Sequence, residues 1–259
     1  MSLRYALIGV EGPHDQAFVN KILQLLGFRN FNGKRENLDP FWEVFIPTYP
    51  RGNDLYKRLD MPSILFTDTL SVAVYVGEGS NLGLRLSATI QGRGNNSPNY
   101  RTDISAFGIV ADSDDNSPDQ IAKRYHQHFD KCFPNFPDQA GIVDLNSPRT
   151  GIFVLPDNLN SGVLDTLICE CGEIAYPTYM ERARSYLKNF SAEERKEELR
   201  WKPFDYEKAL IATVASVLMP GMTNTASISR NLWVCEQTRL QAPGISNFVN
   251  FLEQLLDIT

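Results

Sequence analysis

The stretch Arg4-Tyr-Ala-Leu-Ile-Gly-Val-Glu11-Gly12-Pro-His-Asp15-Gln-Ala-Phe18 joins a short apolar run to a helical pattern through a tight turn. Residues 4 to 10 have the composition of a buried strand, and Glu11-Gly12-Pro13 stops it. From His14 onward Phe18, Ile22 and Leu25, with Val19, Leu23 and Leu26 beside them, recur at helical spacing until Gly27. Asp15 falls in the first turn, where a carboxylate suits the positive end of the helix dipole. Strand, turn and helix in that order open an α/β unit.

Working outward, three further strands are expected at Ser71 to Val76, Ile104 to Ala111 and Gly151 to Leu155. The third ends in Asp112-Ser113-Asp114, and Ser117-Pro118 then starts a helix as N-cap and first position. Its apolar face is Ile121, Ala122, Tyr125, Phe129 and Cys132. The fourth strand leads through Pro156-Asp157-Asn158 to a helix from Ser161. Between the first two strands lies an insertion of about residues 28–70, where Phe41 to Tyr49 reads as an extra strand and Asn53 to Leu59 as a short helix. Gln91 to Arg101 reads as a loop by composition. Beyond Tyr176 the pattern is purely helical. Ser191-Ala-Glu-Glu194 reads as a capping box opening a charged helix to Arg200. Asp205 caps the apolar run Ala209 to Met219, and a last helix covers Ile245 to Leu256. The expected architecture is an α/β domain over 1–175, a parallel sheet flanked by helices, with a helical C-terminal extension over 176–259 packed on it.

The 259 residues carry 25 Lys plus Arg against 31 Asp plus Glu, a net charge of −6, and 42% are hydrophobic. That composition suits a large packed core and not bulk disorder. No window approaches the ~18 uncharged apolar residues of a membrane span, and the start meets Glu11 without a cleavage pattern, so no signal peptide is expected. Four cysteines without a CxxC pair imply a reduced, cytoplasmic protein. The acidic balance argues against coating nucleic acid by bulk charge. A local basic groove remains open, with Arg93, Arg101, Lys123, Arg124 and Arg149 as its candidates; each also reads as a plain surface charge.

Two phosphate-loop lookalikes fail on spacing. Gly27-Phe-Arg-Asn-Phe-Asn-Gly33-Lys34-Arg35 has one residue too many between its glycines, places Arg35 where Ser or Thr would meet magnesium, and follows a helix. Gly77-Glu-Gly79-Ser-Asn-Leu-Gly83 follows a strand, but its last gap is also one residue too long, and Glu78 would repel a pyrophosphate.

The stronger signal is acidic strand ends. In a parallel sheet all carboxyl ends lie along one edge, so Glu11 and the Asp112/Asp114 pair can meet there although distant in sequence. Alternation along an extended segment points Asp112 and Asp114 the same way. Three carboxylates in one cleft repel unless a cation joins them, and hard oxygen ligands suit Mg²⁺ or Mn²⁺. The plainer reading stands beside this: acids after strands are common turn formers and helix caps, which is the account preferred for Asp115 and Asp119. His14, between Glu11 and Asp15, is open to two readings, a general base in the cleft or a surface turn residue. His126 and His128 are expected on a polar helix face, and the tryptophans in the core.

Leu7-Ile-Gly-Val-Glu11-Gly12-Pro-His-Asp15 resembles the first motif of toprim domains, an apolar strand followed by Glu-Gly-x-x-Asp. Ala106-Phe-Gly-Ile-Val-Ala-Asp112-Ser-Asp114 resembles their second, an apolar strand followed by Asp-x-Asp. The whole chain also resembles a toprim-like bacterial family related to the overcoming-lysogenization-defect nucleases. There the third element corresponds to Ile152-Phe-Val-Leu-Pro-Asp157-Asn158 followed by Gly162-Val-Leu-Asp165, with Asp165 where Glu is frequent. The resemblance implies a four-stranded parallel sheet flanked by helices, Mg²⁺ held by Asp112 and Asp114, and Glu11 as metal ligand or general acid/base. Asp15 belongs to the first motif. Asp165 is an extra acid of the cleft or a first-turn helix acid; both readings stand.

No separate domain to carry a topoisomerase tyrosine is expected, and three histidines without paired cysteines do not make the zinc site of a primase. The expected function is therefore a Mg²⁺-dependent nuclease acting on DNA or RNA. Its rival is a non-catalytic toprim-fold binding module working with a partner ATPase. An Asp-x-Asp phosphatase or glycosyltransferase leaves Glu11-Gly-x-x-Asp15 unexplained, and strand order separates it: Glu11 more than ~10 Å from Asp112, about two strand spacings, would favour that class.

Overall fold

A computed structural model describes residues 3–49, 60–92 and 99–258. The strands are β1 (Arg4–Val10), β2 (Arg29–Asn30), β3 (Ser63–Phe66), β4 (Leu70–Val76), β5 (Ala106–Asp112), β6 (Val143–Asp144) and β7 (Arg149–Leu155), in the sheet order β2-β3-β4-β1-β5-β7-β6. The central four, β4-β1-β5-β7, run parallel, while the pairings β2–β3, β3–β4 and β6–β7 are antiparallel. The helices are α1 (Pro13–Leu25), α2 (Leu82–Gln91), α3 (Pro118–Phe129), α4 (Leu164–Ala175), α5 (Pro177–Leu187), α6 (Asp205–Leu218), α7 (Asn224–Arg230), α8 (Glu236–Gln241) and α9 (Pro243–Leu256). The molecule is thus a mostly parallel α/β sheet flanked by helices, with a run of helices at its C-terminal end. Among the described residues no helix is long and apolar enough to cross a membrane.

Both faces of the central strands are buried, which is why they read as continuous apolar runs and not as alternating ones. The side chains still alternate. Ala6, Ile8 and Val10 of β1 join one core with Phe18 and Ile22 of α1, Leu167 of α4 and Phe248 of α9. Leu7 faces the other core, built with Leu86 of α2, Tyr125 and Phe129 of α3, and Phe107. The C-terminal helix α9 packs on β5, β6 and β7, so the helical third supplies part of the layer covering the sheet.

Several local expectations give way to other structure. Phe41 to Tyr49 is not a strand. Asp39 accepts the Phe41 N–H (2.9 Å) and Pro40 opens a 3₁₀ turn over Pro40–Phe45, which buries Phe41, Trp42 and Phe45 at helical spacing. The longer strand of that region is β3, a four-residue run too short to stand out in the sequence, with β2 outside it at the edge of the sheet. Ser191 and Glu194 do make the reciprocal bonds of a capping box (3.0 and 3.3 Å). The turn after them, Glu194–Glu198, is a π turn and not an α-helix to Arg200. There the Arg195 guanidinium lies over the rings of Trp201 and Tyr206. Helix α4 starts at Leu164, not Ser161. Asp205 is the first residue of α6 and accepts the Lys202 N–H (2.8 Å). The helix expected at Asn53 to Leu59 and Arg93 lie outside the described residues.

The β4–α2 connection is tightly fitted. A Cβ on Gly77 would lie 2.4 Å from the Leu82 Cα, a backbone atom that cannot swing away. The Gly77 and Gly79 amides donate to the Val10 and Glu11 carbonyls (2.9 and 2.8 Å), tying this turn to the end of β1. Gly77→Ala is expected to cost at least about 1–3 kcal/mol of stability, the usual range for overpacking. Urea unfolding checks this, and an unchanged midpoint would contradict the fit.

Candidate functional site

Strands β1 and β5 are neighbours, with Val10 opposite Val110, so Glu11 and Asp112 emerge side by side at the carboxyl edge of the sheet. Two helices begin at the same edge. At the start of α1 the Gly12 N–H donates to Asp15 Oδ2 (2.7 Å), closing the first turn and turning that carboxylate inward. At the start of α4 the Leu164 N–H donates to Asp112 Oδ1 (2.8 Å). Asp165, one residue on, is buried. Glu11, Asp15, Asp112 and Asp165 thereby line one cavity of about 430 Å³.

Their environments make ionisation costly. Burial raises the Glu11 carboxyl, and the hydrogen bond that the Tyr125 hydroxyl donates to its Oε1 (2.7 Å) opposes the rise without cancelling it. Burial lifts Asp15 well above the carboxylate range, and the charges of Asp112 and Glu11 add to the effect. Asp112 is pushed up to about 7, first by burial and then by Glu11. Asp165 is raised by burial, against the pull of His14 and Lys208. The cavity resists holding all four charges at once: it favours protons or a cation.

Asp114 stands differently from its expected place. β5 ends at Asp112, and Ser113 turns fully inward, its Oγ accepting the Gly162 N–H (2.7 Å) and donating to the Gly162 carbonyl (3.0 Å). Asp114 follows with φ of 50° in a left-handed conformation, its backbone bridged to Gly162. Strand alternation therefore does not extend to it. Asp114 is exposed at the rim and acts on Glu11 and Asp112 only through its charge.

His14 lines the cavity and faces Asp165 electrostatically. Of the expected cations, Arg124 acts on Glu11 through its charge. Arg149 begins β7 at the opposite end of the strands and binds Asp257 (2.7 Å), so it leaves the groove. Arg101 lies in the turn before β5, and Lys123 is exposed on α3. His126 is not on a free polar face: its Nδ1 meets the Phe136 carbonyl at 2.6 Å. Asp157 is a turn residue, accepting the Leu159 and Asn160 amides. The tryptophans Trp42 and Trp233 are fully buried.

Sequence reasoning missed Asp60, Glu78, Lys208 and Tyr125 at this site. Tyr125 carried a signal: a tyrosine on a buried helix face needs a partner for its hydroxyl. Lys208 arrives from α6 and had none.

Among the described residues no three His, Cys, Asp or Glu side chains converge closely enough to form a ready metal shell. Mg²⁺ ordinarily keeps several waters and binds through one or two carboxylates, so this donor set fits a hydrated ion and not an all-protein cage.

A family described as a protein of unknown function (DUF3226) matches residues 5–257 of the chain. A solved hypothetical protein from Pyrococcus horikoshii OT3 is similar over 99% of this chain and 96% of its own, at 15% identity and a TM-score of 0.48. No curated protein matches the chain.

Proposed function

The chain belongs to the DUF3226 family, and from its acid-lined cavity we propose a toprim-type, Mg²⁺- or Mn²⁺-dependent enzyme that hydrolyses phosphodiester bonds of DNA or RNA. The observation that carries this reading is the meeting of Glu11, Asp15, Asp112 and Asp165 on one cavity at the carboxyl edge of parallel strands. The parallel core β4-β1-β5-β7, with Glu11 and Asp112 at adjacent strand ends, supports the toprim resemblance over an Asp-x-Asp phosphatase. On this reading Asp112 holds a hydrated divalent ion, Glu11 beside it is the acid/base group, and Asp114 adds charge at the rim.

Bound there, the ion would polarise a phosphoryl oxygen and acidify a water. The chain's own groups supply the rest. Glu11, its carboxyl raised by burial, can take a proton from the attacking water or return one to the leaving oxygen. Tyr125 holds Glu11 in one orientation through its hydroxyl. Lys208 brings positive charge to the cavity wall, where it would attract the phosphodiester, and His14 lines the same cavity.

Purified protein incubated with supercoiled plasmid or a short RNA in Mn²⁺ or Mg²⁺ should nick or cut it, and EDTA should stop the reaction. Metal binding without any cleavage of either substrate would overturn the enzyme reading in favour of a non-catalytic binding module.

A further inference from the structure

A second cavity lies beside the acidic one, and its walls come from the glycine-bounded stretch whose spacing fails as a phosphate loop. It has a volume of about 340 Å³, within the range of small-ligand pockets, roughly 300–1,000 Å³. Asn30, Phe31, Asn32 and Arg35 form one side, and Asn20 of α1 with Ser63 of β3 the other. Phe31 is anchored by its backbone N–H to the Ile64 carbonyl (2.8 Å). Its ring lies against Gly33, where a Cβ would come within 2.8 Å of two ring carbons, so glycine lets the ring lie close to the backbone. Asn20 donates to Ser63 Oγ (2.8 Å), while its Oδ1 has no hydrogen-bond partner among the described residues.

The two cavities have no lining residue in common, but consecutive residues of the chain reach both. Asp60 lines the acidic one and Met61 this one, and Gln16 of α1 binds the Met61 carbonyl (2.9 Å) between them. Along α1, Asp15 and Asn20 are separated by about 7–8 Å at the helical rise. An aromatic ring flanked by side-chain amides is a chemistry that recognises a nucleobase. The ring stacks on the base, and an asparagine amide pairs with adenine through one donor and one acceptor.

We propose that this pocket is a nucleobase subsite, preferring adenine, that seats a base of the strand whose phosphodiester enters the acidic cavity. The subsite rests on the phosphodiester reading of that cavity. It implies a single-stranded or locally opened substrate, because a base stacked in its duplex cannot enter a side pocket.

Saturation-transfer NMR on the full chain in EDTA, with adenosine and uridine as probes, tests base binding apart from metal chemistry. Transfer to the adenine protons is expected to exceed transfer to uracil. Phe31→Ala should weaken adenosine binding about ten-fold, in line with the loss of one stacked base. Phe31→Leu, which keeps apolar bulk but removes the stack, should weaken it also if the alanine variant folds poorly. Asp112→Asn should leave adenosine binding unchanged. No transfer to either nucleoside, or wild-type transfer in a folded Phe31→Leu protein, overturns the subsite. The Mn²⁺ cleavage assay reports separately on the phosphodiester reading. If that holds, Phe31→Leu raises KM for a single-stranded oligonucleotide with kcat unchanged.

Discussion

Asp112→Asn should melt at a higher temperature than the parent protein at pH 8, with the difference closing as the pH falls to 4. Asp112 in the folded protein titrates at about 7, raised by burial and by Glu11 from an ordinary value of 3.8. Between those two values the folded protein keeps a proton that the unfolded chain has lost. Stability is therefore full below about pH 4, declines as the pH rises through 7, and stays reduced above it. Asparagine keeps the acceptor for the Leu164 N–H and carries no charge to bury. The variant should gain roughly 2–4 kcal/mol at pH 8, or about 5–15 °C in a chain of this size. Glu11, Asp15 and Asp165 are raised as well, so the parent protein's own stability should fall in the same direction with rising pH. Mn²⁺ should restore the parent's melting temperature at pH 8 and leave Asp112→Asn unmoved, because only the ion-binding form gains from mass action. Thermal unfolding from pH 4 to 8 with and without Mn²⁺ reads all of this. A variant less stable than the parent at pH 8 would mean that the cluster is structural, its charges already compensated.

The same residues are expected to behave in the opposite way toward activity. Glu11→Gln and Asp112→Asn should each lower kcat for metal-dependent cleavage by about 10²–10⁴, the range for losing a positioned acid–base group. On the proposed mechanism both groups act on one phosphoryl centre, so the double variant should be much less impaired than the product of the single losses. Cleavage by either variant within twofold of the parent would remove that residue from the mechanism. A residue whose neutralisation stabilises the fold while abolishing cleavage marks a site kept at the expense of stability.

Much of the sheet was legible in the sequence, for a physical reason. Strands buried on both faces must be apolar throughout, so β1, β4, β5 and β7 stand out as runs such as Ala6 to Val10. Short antiparallel strands at the rims need little hydrophobic sequence, and β2, β3 and β6 therefore left no pattern. Phe41, Trp42 and Phe45 misled because aromatic residues suit strands, yet Asp39 and Pro40 cap a 3₁₀ turn there.

For the candidate site, residue type and strand end were enough to single out Glu11 and Asp112, since parallel strands bring their carboxyl ends to one edge whatever lies between them. Asp15 was singled out by the resemblance of Glu11-Gly-x-x-Asp15 to a known motif. Asp114 shows the limit of that argument. Side-chain alternation holds only while the backbone stays extended, and Ser113 ends the extension by bonding to Gly162, 49 residues away.

By itself, then, the sequence determined the parallel α/β core and the acids at its strand ends, because local periodicity and burial dictate both. Tertiary structure alone decided that Asp165 turns into the cavity and that Asp114 stays at its rim. It also decided that Tyr125 holds Glu11 and that Lys208 arrives from the helical third. Those placements depend on how α3, α4 and α6 dock, and docking is set by packing between segments far apart in the chain, which no local pattern encodes.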